Sequence, residues 1–347
     1  MKKIKLSARL LRIFTVAVAI GSIFVFVPWL AACAYLAPLP DTVQEQIAAA
    51  VNYDLDGIIV YVDKKGQEPE FYYAGWKNRE NKIPADPHAL FKIASISKLY
   101  IAAATAKLIS KQRLSLDDIL TDHLPELAGR IENANKITLR MLLQHRSGIP
   151  DWIEDPEFPW TRSLADVSEV LELVLDDPAE FEPDTRYDYS NTNFLLIGNV
   201  LDEVLGCSHH RYIETELLAP LGLTRTFSLM SDVHADDMMS GYYIGQGGDV
   251  KALDFVSPGG SMVATAEDVG IFLRALIDGS LLNPGEQAVY SSTYAHEHTG
   301  LLPGYSSIAR YHKDIDTVVI QFVNTSGGNS WMVSEIIYNR ILRILRR

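Results

Sequence analysis

The stretch "LFKIASISKLYIAAATAKLI", Leu90 to Ile109, decides how the rest of the chain is read. From Leu99 onward it is apolar on every face, the mark of a helix buried on all sides. Lys98 heads that helix and is carried toward an interior where an ammonium is costly. Residues i and i+3 share a helix face, so Ser95 and Lys98 can meet, whereas Ser97 points about 200° away from Ser95. Burial favours the neutral amine, and a neutral amine beside a hydroxyl can take its proton and make it a nucleophile. Ser95 is therefore the candidate nucleophile and Lys98 the candidate base. The spacing SxxK alone is weak, since a chain of this length holds about one copy by chance. A surface lysine at a helix start competes with it on this stretch alone.

Working outward, the 347-residue chain is 48% apolar and 22% charged, the balance of a globular protein with one large domain or two interleaved ones. The formal charge is −13. Lys2, Lys3, Lys5, Arg9 and Arg12 fall in the first 32 residues with no acid among them. Removing these five from the 31 basic residues leaves 26 against 44 acidic ones, a net of −18. So acidic a surface repels phosphates, which sets nucleic acid and anionic lipid aside as partners of the folded part.

From Ile13 to Leu39 no charged residue occurs, a run long enough to span a bilayer, and its basic flank keeps the N-terminus in the cytoplasm. Residues 1–40 are accordingly read as a targeting segment with three possible fates. It is a cleaved signal peptide, an uncleaved anchor, or a lipoprotein signal, since Leu30-Ala31-Ala32-Cys33 resembles a bacterial lipobox with Cys33 as the lipidated residue. All three place the folded part outside the cytoplasm, in the periplasm or on the cell surface. Cys33 and Cys207 are the only cysteines, so an internal disulfide is not expected, and Cys207 reads as a small buried filler.

Residues 41–347 read as the folded domain. "DTVQEQIAAAVNY" is a helix capped by Asp41, and "DGIIVYVDKKGQEPEFYYAGW" is two strands around a turn. From about Ser115 to Asp254 helical patterns alternate with Pro/Gly-rich loops. "GGSMVATAEDVGIFLRALIDG" is a helix with Thr265 as N-cap and Glu267 and Asp268 in its first turn. "YSSIARYHK" and "DTVVIQFVNT" alternate as antiparallel strands, and "SWMVSEIIYNRILRILRR" is an amphipathic helix. The expected fold is α+β: an antiparallel sheet formed by the N- and C-terminal parts, flanked by helices, with a mostly helical subdomain inserted over about 110–255.

Two further elements join SxxK: Tyr189-Ser190-Asn191 in "RYDYSNTNFLLIGNVLDEVLG", and His298-Thr299-Gly300 in "HEHTGLLPGYSS". At this point the chain resembles the serine β-lactamase and penicillin-binding-protein superfamily, in which SxxK, Y-x-N and K/H-T/S-G elements line one cleft. It looks like the class C β-lactamase-like branch, which includes D-alanyl-D-alanine carboxypeptidases and esterases. "MLLQHRSGIPDW", "FEPDTRYDYSNTNFLLIG", "LLAPLGLTRT" and "GGSMVATAEDVGIF" extend the likeness, in order, from about Asp41 to the C-terminus.

The resemblance implies a role for each matching residue. Ser95 is the acylated nucleophile and Lys98 its proton acceptor. Tyr189, whose phenol can lose or relay a proton, protonates the leaving group. Asn191 hydrogen-bonds substrate and holds Lys98. His298, Thr299 and Gly300 lie on a strand edge beside the cleft, Thr299 touching an anionic group and bare Gly300 letting substrate approach. The oxyanion hole is assigned to the N–H groups of Ser95 and Leu302. On the residues alone, without the other motifs, Asn191 reads first as a helix cap, and His298 reads also as a lone strand histidine. His145 is read as structural.

The implied activity is an acyl-enzyme serine hydrolase, foremost a D-alanyl-D-alanine carboxypeptidase-like peptidase on peptidoglycan peptides. The alternatives are an esterase or amidase, a weak β-lactamase, or a penicillin-binding sensor without turnover. Its partners are small peptides, β-lactams or esters, and the membrane through the N-terminal segment. His209-His210 and the pair His296 and His298 lack a third ligand at suitable spacing, so neither metal nor other cofactor is expected. His in place of Lys in the third motif leans toward peptidases and esterases. A carboxypeptidase grips a terminal carboxylate with a cation, yet no Lys or Arg stands between Arg274 and Arg310. The grip falls to His298, Thr299 or a distant arginine. The segment Leu282 to Glu297 also looks short for a strand lead-in to this motif.

Overall fold

The alternating segments at 57–78 and 305–323 become the centre of one sheet. The computed structural model of the chain describes residues 2–163 and 166–347. Helices α1 (Lys2–Phe26) and α2 (Trp29–Leu36) are separated at Val27-Pro28, where proline cannot donate the N–H that would continue the first helix. The uncharged run is thus divided rather than continuous, and among the described residues no helix is long and apolar enough to cross a membrane. Helix α3 (Val43–Ala50) is capped by Thr42, not Asp41. Thr42 Oγ1 accepts from Glu45 N–H while the Glu45 carboxylate accepts from Thr42 N–H, a reciprocal pair that only the residue three before a glutamate can form.

Strands β1 (Gly57–Lys64), β2 (Glu70–Asn78) and β3 (Ile83–Pro84) lead to β4 (Phe91–Lys92) and the buried helix α4 (Ser97–Ser110). The chain then runs through α5 (Leu120–His123), α6 (Leu139–Leu143), α7 (Val167–Leu171), α8 (Asn191–Leu205), α9 (His209–Ile213) and α10 (Ala219–Leu221). Strands β5 (Thr226–Phe227), β6 (Tyr242–Tyr243) and β7 (Val263–Ala264) are two-residue pairings among these loops. Helices α11 (Ala266–Asp278) and α12 (Pro284–Thr293) precede β8 (His298–Leu302), β9 (Tyr305–His312), β10 (Thr317–Val323), β11 (Thr325–Ser326) and α13 (Ser330–Leu345). The short lead-in to His298 is therefore a helix, begun by Asn283 as cap and Pro284. Cys207 is exposed, because α8 ends at Leu205 and Gly206 turns the chain outward in a left-handed conformation.

The main sheet has the order β3-β2-β1-β10-β9-β8, antiparallel throughout, with β1 from the N-terminal part pairing β10 from the C-terminal part. Alternation sorts its side chains onto two faces. Ile58, Val60 and Val62 join Val319 and Val323 against Ile47 of α3 and Ile337 and Ile341 of α13. Ile59 and Tyr61 join Val318, Ile320 and Phe322 on the other face, with α4 and α11. Burying each such side chain stabilises by about 1.5–3 kcal/mol. Arg340 of α13, itself buried, donates to Gln46 Oε1 and to the carbonyls of Ala37 and Pro38, fixing the chain between α2 and α3 to this layer. Edge strand β8 lies beside the turn that opens α4.

Candidate active site

Ser95 sits in the single 3₁₀ turn Ala94–Ile96 between β4 and α4. Ala94 is buried and takes a φ of 51°, a left-handed conformation that costs a residue with a Cβ roughly 1–2 kcal/mol. That sharp turn sets Ser95 at the head of α4. Ser97 faces the other way. Its hydroxyl donates to Ala94 O at 2.6 Å and accepts from Met262 N–H at 3.2 Å, tying the turn to the chain entering β7.

Lys98 is fully buried, with Nζ 3.0 Å from Ser95 Oγ, 2.8 Å from Asn191 Oδ1 and 2.8 Å from the Gly259 carbonyl. Burial lowers its pKa to about 7, with the Asp151 carboxylate pulling weakly the other way. Much of it is then the free amine near neutrality. A Cβ on Gly259 would stand 3.0 Å from Lys98 Nζ and 2.9 Å from Phe194 Cβ, so this position has no room for a side chain. Asn191, the first residue of α8, turns its amide nitrogen to Asp151 Oδ2 at 2.8 Å and its oxygen to Lys98. Ser190, not Asn191, occupies the N-cap position.

The Tyr189 hydroxyl donates to Ser95 Oγ at 3.0 Å. Burial raises its pKa far above that of a free phenol, so Tyr189 stays protonated and suits proton relay, not the ionised phenolate the sequence allows. His145 stacks on its ring at 4.5 Å between centroids, and His145 Nδ1 accepts the Ser190 N–H at 3.2 Å. Burial, with the positive charge of Lys98 adding to it, lowers the His145 pKa to about 3. A neutral imidazole thus backs the phenol.

On β8, burial followed by the Lys98 charge lowers the His298 pKa to about 4, and its Nε2 lies 3.0 Å from the Tyr294 hydroxyl. Gly300 has a packing reason beside the one expected. A Cβ there would meet Ile93 O and Ser307 Oγ at 2.4 Å and Ala94 Cβ at 2.9 Å. Its bareness lets β8 close on the nucleophile turn. Leu302 also needs correction as an oxyanion donor. It pairs with Tyr305 across the two-residue turn Pro303-Gly304, and residues flanking such a turn exchange backbone hydrogen bonds. The Leu302 N–H is spent on β9, and alternation turns the Leu301 N–H outward from the free edge, toward the cleft.

These residues line a cleft of about 730 Å³ that includes Ser95, Tyr189, Asn191, His298, Thr299, Gly300, Leu301 and Leu302. Arg310 stands in an adjoining pocket beyond His298 and Thr299, with its guanidinium 3.2 Å from Glu335. Cys33 lies exposed on α2. Asp151, Gly259, Leu301 and the ring packing of His145 went unread in the sequence. Asp151 and His145 stand in the quoted "MLLQHRSGIPDW", but their partners come into reach only through the fold.

A model of the Beta-lactamase family matches residues 39–340. Protein flp of Staphylococcus aureus (strain NCTC 8325 / PS 47) is 26% identical over 268 residues, 74% of this chain and 52% of that protein. A putative D-alanyl-D-alanine carboxypeptidase of Escherichia coli (strain K12) is 30% identical over 182 residues, 49% of this chain and 41% of that protein. The chain thus spans about half the length of the curated relatives it matches. Among solved structures, D-amino acid amidase from Ochrobactrum anthropi SV3, complexed with L-phenylalanine amide, aligns with a TM-score of 0.79 at 21% identity, over 88% of this chain and 97% of that one. At that identity the likeness speaks to the fold. With a family model covering nearly all of the folded part, the chain belongs to the Beta-lactamase family.

Proposed function

We propose that this protein is a serine hydrolase that cleaves amide or ester bonds through an acyl-enzyme on Ser95. The observation that carries this is the meeting of Ser95 Oγ with Lys98 Nζ and the Tyr189 hydroxyl, each at 3.0 Å. Neutral Lys98 takes the hydroxyl proton as Oγ bonds to the substrate carbonyl carbon. The oxygen's developing charge is held by the N–H groups of Ser95 and Leu301. Tyr189 gives its proton to the departing nitrogen or oxygen and regains one from Lys98, so the serine proton leaves with that group. Water then attacks the acyl carbon, loses a proton to the same pair, and frees Ser95 and a carboxylic acid.

A second reading, a D-alanyl-D-alanine carboxypeptidase-like peptidase, is favoured by the name of the Escherichia coli relative. Incubation with a fluorophosphonate and a fluorescent penicillin, with Ser95→Ala as control, tests both. Labelling that survives Ser95→Ala refutes the nucleophile. Turnover of a D-Ala-D-Ala peptide supports the peptidase, turnover of p-nitrophenyl esters or nitrocefin an esterase or β-lactamase, and labelling without turnover a sensor.

The extracytoplasmic, membrane-anchored placement is also proposed. It is supported by the basic residues of the N-terminus and by Leu10, Leu11, Phe14 and Phe24 standing exposed on α1. Release of the protein from membranes by alkaline carbonate would refute the anchoring, and protection of the folded part from protease added to intact spheroplasts would refute the extracytoplasmic placement.

A further inference from the structure

The cleft carries more chemistry than its catalytic cluster uses. Trp152, Trp160, Tyr243, Phe255, Leu301 and Trp331 line it, together with small and amide side chains, and among the described residues no Asp, Glu, Lys or Arg lines it. Trp160, Tyr243 and Leu301 are exposed at 41%, 36% and 55%. Large apolar groups gathered on one concave surface mark a binding face more than scattered exposure does. The wall is also built. Trp160 meets Phe158 edge-on at 4.6 Å and lies 6.1 Å from Phe255. The two loops that carry Trp160 and Phe255 are tied by Ser163 Oγ, which donates to Ala252 O at 3.1 Å and accepts from Asp254 N–H at 3.0 Å.

The basic side chains beneath the cleft and in the adjoining pocket are already engaged. Lys98 is spent on Ser95, Asn191 and Gly259, Arg310 on Glu335, and Arg146 on Asp184. His298, beside Thr299 on the cleft edge, is held neutral by burial. A carboxylate entering here would lose its water with no Lys or Arg among the described lining residues to replace it. The net −18 of the chain beyond residue 32 repels the same anions at longer range.

We propose that the cleft selects electrically neutral acyl groups bearing an aromatic or bulky aliphatic side chain, and rejects acyl groups that carry a free carboxylate. The proposal rests on the acyl-enzyme reading above and names the substrate class of that same site. The aromatic wall binds the acyl side chain while the ester or amide carbonyl lies over Ser95, and selectivity follows from desolvation: apolar groups gain from burial, and an unpaired carboxylate does not.

The test compares p-nitrophenyl esters of acetate, hexanoate, 4-phenylbutyrate and glutarate on the full chain, each rate normalised to its hydroxide hydrolysis. Hexanoate and the glutarate monoester match in length and differ in charge. The expected kcat/KM for hexanoate exceeds that for glutarate by about 100-fold. Trp160→Ala is expected to lower the 4-phenylbutyrate to acetate ratio about tenfold. Gln246→Lys, which places a cation on the cleft wall, is expected to raise glutarate turnover about tenfold. Equal rates for hexanoate and glutarate overturn the proposal, as does a glutarate deficit that Gln246→Lys leaves unchanged. Ester turnover that persists in Ser95→Ala refutes the acyl-enzyme reading instead. Fluorophosphonate labelling of Ser95 together with a preference for glutarate refutes only the selectivity.

Discussion

Lys92 and Lys98 lie close together in the chain, and both are buried, yet they do different things. Lys92 on β4 donates to the carbonyls of Lys251 and Leu253. Burial lowers its pKa to about 8, with Asp254 and Asp249 pushing the other way. Lys98 is lowered further, to about 7, by the same cause. The difference lies in what each amine touches. Around Lys92 stand carbonyl oxygens, which can only accept. Beside Lys98 stands a hydroxyl, which can give up its proton. A depressed lysine pKa is thus a product of burial, and it becomes catalytic only where a nucleophile is in contact.

The most damaging way to probe this contrast is Ser95→Ala. Turnover is expected to fall at least about a thousandfold, since Ser95 Oγ is the hydroxyl in contact with Lys98, and steady-state hydrolysis with intact-mass detection of the acyl adduct checks it. Next is Lys98→Met, with a loss of about 10²–10⁴ in kcat/KM. The base works when neutral, so wild-type activity rises as pH climbs through about 7 and then levels. That rise is expected to vanish in Lys98→Met and to persist in Lys92→Met. Tyr189→Phe is expected to cost about 10²-fold in acylation, more for amides than for p-nitrophenyl esters, because an amine leaving group needs a proton and nitrophenolate does not. A matched amide and ester pair reads the split.

The smallest effect belongs to the other lysine. Lys92→Met leaves two carbonyls without their donor, and denaturant unfolding is expected to show a loss of about 1–3 kcal/mol. Its pH dependence has a definite sign. The folded-state pKa is lowered to about 8, so above that pH the unfolded chain binds the extra proton and stability rises toward the ordinary lysine pKa. Lys92→Met removes that part of the rise.

What could be read in advance follows from how local each feature is. The alternation in "YSSIARYHK" and "DTVVIQFVNT" and the Thr265 cap are written within a few residues, and the structure has them as β9, β10 and the start of α11. The spacing of Ser95 and Lys98 is local too, one helical turn on one face. Thr42 was missed because Asp41 beside it is as good a cap by type, and only the reach of Glu45 separates them. The division of the N-terminal apolar run was overlooked at Pro28, although proline's missing donor marks it. Other features depend on chain closure. Asp151 meets Asn191, and Gly259 meets Lys98, only after the sheet brings distant segments together. Leu301 rather than Leu302 faces the cleft because a two-residue turn sets the parity of β8, and that turn is known once β9 is paired.

Buried Lys98, neutral in its working form, makes Ser95 a nucleophile. The most direct measurement is the second-order rate of fluorophosphonate addition from pH 5 to 9, with the modified residue mapped by mass spectrometry. An adduct on Ser95 is expected, its rate rising about tenfold per pH unit below about 7 and levelling above it. A flat profile, or an adduct on any other residue, would contradict it.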